Sequence, residues 1–232
     1  MDYAKIISAA ARDMRPSGIR KFFDIAAEMK DCISLGVGEP DFVTPYHIRN
    51  AAINSLLDGE TAYTSNWGLL SLRQEIARYM QDRYHLTYDP KKEILVTVGA
   101  SEGIDLSLRV LMNPGDEVLI PEPSYVSYAP GVVFAGGVPV PVPTSEQNGF
   151  ALMPEALAAA VTPRTKAVIL PYPNNPTGAV LDRPLLERLR DVFVENDLIV
   201  ISDEIYSELT YTEEGHTSIA SLPGMHERTI VL

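Results

Sequence analysis

Four short segments hold the residue types best suited to chemistry, and each follows an apolar run. Gly99-Ala100-Ser101-Glu102-Gly103 offers small residues whose backbone N–H groups could approach an anion, with a hydroxyl from Ser101. At the start of a helix such a segment attracts phosphate. Pro121-Glu122-Pro123-Ser124-Tyr125 ends on an aromatic face that could stack on a flat ring. Pro171-Tyr172-Pro173-Asn174-Asn175-Pro176-Thr177-Gly178 presents the Asn175 amide as a donor to a ligand oxygen, its direction fixed by flanking prolines. Asp203-Glu204-Ile205-Tyr206 sets a carboxylate at the end of an apolar run, where it needs a partner. The Tyr206 phenol follows three residues on, within reach across one helical turn.

Each segment also has a plainer reading. Ser101 could simply cap a helix, Tyr125 could be a core aromatic, and Asp203 could cap the element that follows it. Asn, Pro and Gly are the ordinary residues of turns, although the segment around Asn175 is more specific than a turn requires. Taken singly, the glycine segment fits a capped helix slightly better, and Tyr125 fits core packing. Taken together, four strand ends supply a phosphate cradle, an aromatic plate, an amide donor and a carboxylate beside a phenol. That set suits a flat, phosphorylated, hydroxylated pyridine.

The elements that must position these groups are legible in outline. Short β-branched runs at 94–98, 117–120, 138–142, 167–170, 198–202 and 229–232 are the expected strands. Several are apolar on consecutive residues, which marks strands buried on both faces in a parallel sheet covered by helices. A helix is expected over 183–196, with Leu185, Leu189, Val192 and Phe193 inward, Asp182 as N-cap and Pro184 in the first turn. The first ninety residues read as three helices with little strand. Thr44-Pro45 is expected to open one of them, with Ile48, Ala52 and Leu56 recurring along it. Another is expected over 69–84, with Leu72, Ile76, Tyr79 and Met80 inward. The fold class is therefore α/β, a helical N-terminal segment leading into a mostly parallel sheet. The expected division is an arm and loop over 1–45 and a larger domain over 46–232. In a sheet of this kind ligands gather at the carboxyl ends of the strands.

Bulk properties narrow the function. The 232 residues carry a net charge of −12, which disfavours a phosphate backbone as partner, so nucleic acid is not expected. No apolar run is long enough for a bilayer, so no membrane is expected. Met1-Asp2-Tyr3-Ala4-Lys5 lacks the basic start and apolar core of a signal peptide. The single cysteine, Cys32, forms no internal disulfide and fits a reducing, cytoplasmic setting. It reads as a small buried apolar residue, and no metal site is expected around it.

Leu35-Gly36-Val37-Gly38-Glu39-Pro40-Asp41-Phe42 joins the segments at 99–103, 173–178 and 203–206 in an order and spacing that resemble class I/II aminotransferases. These belong to the fold-type I pyridoxal-phosphate-dependent family, and the resemblance runs from about Ile33 to Leu232. It implies a large cofactor-binding domain and roles for particular residues. Asp203 would pair with the pyridine nitrogen and keep it protonated, which makes the ring an electron sink. Asn175 and Tyr206 would hold the ring hydroxyl, Tyr125 would stack on the ring, and Ala100 and Ser101 would bind the phosphate. Tyr63, before Trp67-Gly68, would reach the phosphate in a neighbouring subunit, implying a homodimer with shared active sites; its plainer reading is a packed loop aromatic. Gly38 and Asn175 would lie against the substrate.

The resemblance also implies a lysine, in a serine-rich loop shortly after a strand like 229–232, that binds the cofactor covalently and carries the substrate proton. Lys5, Lys21, Lys30, Lys91, Lys92 and Lys166 all lack that context. The expectation is the N-terminal portion of an aminotransferase that moves an amino group between an amino acid and a 2-oxo acid, inactive by itself. A carbon–sulfur β-lyase of the same fold, a non-catalytic fragment, and half of a split protein are the alternatives.

Overall fold

Consecutive apolar residues at 118–120, 167–170 and 200–201 do form strands buried on both faces. The computed structural model describes residues 1, 3–14, 18, 22, 25, 28, 29, 33, 38 and 42–232. Five strands build one sheet: β1 (Glu117–Glu122), β2 (Val138–Pro143), β3 (Thr165–Leu170), β4 (Ile199–Ser202) and β5 (Thr229–Val231). Their order is β2-β1-β3-β4-β5, and every neighbouring pair is parallel. The side-chain alternation of a strand sends successive residues to opposite faces. Leu119, Val168, Leu170 and Val200 accordingly enter one core, whereas Val118, Ile120, Ala167, Ile169 and Ile201 enter the other.

The helices are α1 (Ala9–Asp13), α2 (Tyr46–Leu57), α3 (Leu70–Tyr84), α4 (Gly99–Leu111), α5 (Tyr128–Phe134), α6 (Pro154–Ala160) and α7 (Arg183–Glu195). Leu157 of α6 and Leu186, Leu189 and Phe193 of α7 fill the first core. Ile104 and Leu108 of α4, with Tyr128 and Val132 of α5, fill the second. The start of α7 follows its sequence signals: Asp182 accepts a hydrogen bond from the Leu185 N–H at 2.9 Å, and Pro184 lies in the first turn.

The chain divides into two compact units, one of Met1–Met14 with Trp67–Leu232 and one of Arg15–Asn66. The expected boundary at 45/46 falls inside the second unit. That unit contains α2, Tyr63 and Gly38; the first contains the sheet.

Several expectations are corrected. The run 94–98 is not a strand. Among the described residues its backbone bond to another segment is the Val96 N–H donating to the Trp67 carbonyl at 3.1 Å, and a β-branched run that finds no strand there to pair with stays a strap. Helix α2 begins one residue later than expected, with Pro45 at the cap and no side-chain cap from Thr44. Ile48, Ala52 and Leu56 are exposed, and no residue of α2 is buried in this chain. In α3, Met80 is buried and Ile76 packs beside it, but Leu72 and Tyr79 are exposed. Arg73 is buried instead, and its guanidinium donates to the Pro90 carbonyl at 2.7 Å.

Candidate active site

The order of strands creates the place where the predicted residues meet. β1 pairs with β2 on one side and β3 on the other, so the chain reverses its direction of travel across the sheet between β1 and β3. Loops leaving the carboxyl ends of adjacent strands part at such a point and leave a crevice. Tyr125 follows β1, Asn175 follows β3, and Asp203 stands one residue beyond β4.

Asp203 is the buried centre, 6% exposed, and its backbone is fixed by an N–H donated to the Leu170 carbonyl at 3.0 Å. Tyr128, 4% exposed, donates its phenol to Asp203 Oδ2 at 2.8 Å. The Ile205 N–H donates to Oδ1 at 3.3 Å. Burial is the largest influence on this carboxyl and raises its pKa; the Tyr128 and Ile205 hydrogen bonds oppose the rise, and the Glu204 charge adds to it. Tyr128 is itself pushed well above the ordinary phenol range, first by burial and then by the Asp203 charge and hydrogen bond. Tyr206 and Tyr125 contribute to that rise as well, so both phenols lie within electrostatic reach of Tyr128. The Tyr125 and Tyr128 rings meet edge to face, with centroids 5.6 Å apart.

Tyr206 reaches this neighbourhood by a different route from the one expected. The chain makes a turn after Asp203, in which the Ser207 N–H donates to the Glu204 carbonyl at 2.8 Å, and then a short 3-10 helix, Ser207–Leu209, rather than an α-helix. Tyr125 and Tyr206 are 39% and 36% exposed, so each offers a ring face or hydroxyl to solvent.

Asn175 projects from a rigid turn. Asn174, buried beside it, accepts hydrogen bonds at Oδ1 from the Thr177 N–H and hydroxyl at 3.2 and 2.9 Å. Gly178, at φ +70°, donates its N–H to the Asn174 carbonyl at 2.8 Å. The turn is closed from inside by Asn174, which leaves Asn175 exposed with its amide uncommitted to the fold.

The glycine segment is corrected in detail. Residues 99–103 are the opening of α4 itself, so Ser101 stands inside the first turn and does not cap it; no side chain caps this helix. Glu102 turns back to accept from the Val98 N–H. The N–H groups of Ala100 and Ser101 lack an acceptor within the helix, as first-turn groups must. Gly99 has φ +74°, and nothing lies within 4 Å of the place a side chain would occupy there. The N-terminus of α4 is thus open to an anion.

Two residues of this region had no signal as isolated motifs. Tyr128 follows Tyr125 by three positions, a spacing that aligns them on one helical face, and that is the trace it leaves in the sequence. Glu204 is buried and accepts from the hydroxyls of Ser202 and Ser218, each at 2.9 Å, and pairs with His216 Nε2 at 2.9 Å. Glu204 therefore binds the segment carrying His216 and Ser218, with Ser202 donating to the same carboxylate, while Asp203 beside it joins Tyr128.

Tyr63 is fully exposed in the second unit, and a side chain on Gly38 would meet nothing within 4 Å. The other residues of 35–41, and Cys32, Lys21 and Lys30, lie outside the described residues. Lys166 pairs with Asp116 at 2.9 Å at the start of β3, the end of the sheet away from Asp203. Lys91 and Lys92 are exposed in a turn, and Lys5 ends a short 3-10 helix. Among the described residues no helix is long and apolar enough to cross a membrane, and no three His, Cys, Asp or Glu side chains group as metal ligands.

A parallel sheet with an anion-ready helix start and a buried carboxylate at its switch-point crevice defines a class of protein. The family model for aminotransferase class I and II matches residues 30–232, and the chain belongs to this family. It is 52% identical over 226 residues to a putative aminotransferase of Bacillus subtilis, YugH, covering 97% of this chain and 58% of that protein. An aspartate aminotransferase of Pyrococcus abyssi is 52% identical over 219 residues, covering 94% and 56%. The solved structure of the Thermus thermophilus aspartate aminotransferase with maleate superposes with a TM-score of 0.91 at 38% identity, covering 97% of this chain and 59% of that one. The chain spans less than three fifths of the length of these relatives.

Proposed function

We propose that this chain forms the cofactor-binding part of a pyridoxal-phosphate-dependent aminotransferase that exchanges an amino group between an amino acid and a 2-oxo acid. The observation that carries the reading is the buried Asp203 carboxylate at the end of β4, held by Tyr128 and flanked by the solvent-facing Tyr125 and Tyr206. A buried anion without a cation calls for one, and a protonated ring nitrogen is a cation of suitable size.

The donor set fits the cofactor. The uncapped start of α4, with Ala100 and Ser101, suits a phosphate. Tyr125 offers a ring face for stacking, and Asn175 and Tyr206 offer donors to a ring hydroxyl. When bound, pyridoxal phosphate supplies an electron sink that stabilises charge at the substrate α-carbon. The chain's part is to orient the ring and hold charge opposite its nitrogen. The covalent lysine is assigned to the part of the relatives' length that this chain does not cover. We also assign Tyr63 to the phosphate of a neighbouring subunit, which makes the working form a homodimer, and Gly38 and Asn175 to the substrate side.

The test is made on the full-length protein containing this chain. Addition of an amino acid alone should release its 2-oxo acid once per site, and a second 2-oxo acid should then be aminated. Failure of that two-stage exchange across a panel of amino acids refutes the reading. Release of pyruvate and ammonia from a cysteine-type substrate would assign the β-lyase reaction instead.

A further inference from the structure

Tyr128 touches two functional groups at once. Its phenol donates to Asp203 Oδ2 at 2.8 Å, and its ring packs edge to face with that of Tyr125, centroids 5.6 Å apart. It is almost completely buried, so water does not replace the bond if it is lost. The two Asp203 oxygens are used differently: Oδ2 takes a short phenol bond, and Oδ1 takes one long backbone bond at 3.3 Å. The carboxylate is thereby turned, and the less committed oxygen keeps capacity for another donor.

We propose that Tyr128 is a positioning residue that holds Asp203 ionised in one orientation, and so sets how strongly the site selects a ring nitrogen. The inference rests on the assignment of Asp203 to that nitrogen.

The physical argument is a balance of charge against burial. An ionised carboxylate in low dielectric is unfavourable unless hydrogen bonds compensate it. Glu204, on the same segment, worsens the balance, and burial is the dominant opposing influence. Tyr125 and Tyr206 are phenols whose ionisation would only add negative charge. Tyr128 and the Ile205 N–H are therefore the groups that favour the anion, and Tyr128 makes the shorter bond. Without its hydroxyl, the balance shifts toward the neutral acid, which has less to offer a cationic ring.

The experiment measures dissociation constants in the full-length protein for pyridoxal phosphate and for its analogue with carbon in place of the ring nitrogen. Both carry the same aldehyde and phosphate, so their ratio isolates recognition of the nitrogen. The native protein should prefer pyridoxal phosphate, and Asp203→Ala should erase the preference. Tyr128→Phe keeps the ring contact with Tyr125 and should cut the preference by roughly tenfold or more, the range for a hydrogen bond to a charged group. Its affinity for the carbon analogue should be unchanged. Replacement of Tyr128 by 4-aminophenylalanine keeps the ring, the reach and a weaker donor, and should retain the preference even if the Phe variant fails to fold. Equal weakening of both ligands by Phe would make Tyr128 merely structural and overturn the inference. So would an undiminished preference in the Phe variant, or loss of preference with 4-aminophenylalanine. A native protein that does not discriminate would instead overturn the assignment of Asp203, and the inference with it.

Discussion

Asp203 is costly to the fold it belongs to. Its pKa is raised above the ordinary aspartate value, chiefly by burial. The folded chain therefore keeps the Asp203 proton to higher pH than the unfolded chain does. Stability falls as pH rises from about 4, the unfolded aspartate range, through the folded pKa. Asp203→Asn should melt at a higher temperature than the native protein at pH 8, with the gap closing as pH falls toward 4. Turnover of the full-length protein should drop by roughly a hundredfold, as for loss of a preorganised electrostatic contact. Thermal melts at both pH values and steady-state rates check this; a variant less stable at pH 8 would contradict it. Asp203, Tyr125, Asn175 and Tyr206 were legible as candidates because strand-end position and residue type coincide. Tyr128 was not, since a tyrosine within a short helix carries no mark that distinguishes a carboxylate donor from core packing. Glu204 was hidden for a similar reason: three of its partners' positions become informative only once residues 202, 216 and 218 are brought together.

At the scale of elements, periodicity read well where tertiary burial agreed with it. Strands β1, β3 and β4 and helix α7 follow their apolar patterns, because both faces of the central sheet are covered, whereas β2 at the edge is largely exposed. The failures occur where a partner decides. The strap 94–98 has strand composition with no strand beside it among the described residues, and α2 has a periodic apolar face that this chain leaves exposed. The strap is instead held against Gly68. That glycine has φ +90°, and a side-chain carbon there would stand 2.6 Å from Val96 Cβ and Cγ2. Gly68→Ala combines a left-handed backbone with a collision and should destabilise the fold by at least about 1–3 kcal/mol. A denaturant midpoint equal to that of the native protein would show that the strap yields freely. Gly59, at φ +78° with nothing nearby, is the control that has the backbone penalty without the collision.

Across the whole molecule the two ends of the sheet have different jobs. The amino ends are fastened by ion pairs: Glu117 with Arg164 and Asp116 with Lys166 join the starts of β1 and β3, and Arg228 with Asp197 joins the approaches to β5 and β4. Hydrogen bonds from Thr162 first, and then Arg164, hold the Glu117 carboxyl below the usual glutamate range. Its contribution to stability is present above the unfolded value near ~4.3 and is lost as pH falls through the lower folded pKa. Glu117→Gln should therefore be less stable than the native protein at pH 7, with the difference shrinking in acid. Chemical unfolding at pH 7 and pH 2.5 measures it, and a difference independent of pH would count against the ion pair. The carboxyl ends carry Asp203, Asn175 and Tyr125, and the loop after β4 is tied by Tyr128 to Asp203 and by His216 and Ser218 to Glu204.

That division has a consequence for inheritance. Because the ion pairs Glu117–Arg164, Asp116–Lys166 and Arg228–Asp197 lie at the amino ends, the loops after β1 and β3 can lengthen, shorten or change composition while those pairs are left alone. New specificities can be tried on such a frame one loop at a time, each trial starting from a chain that already folds.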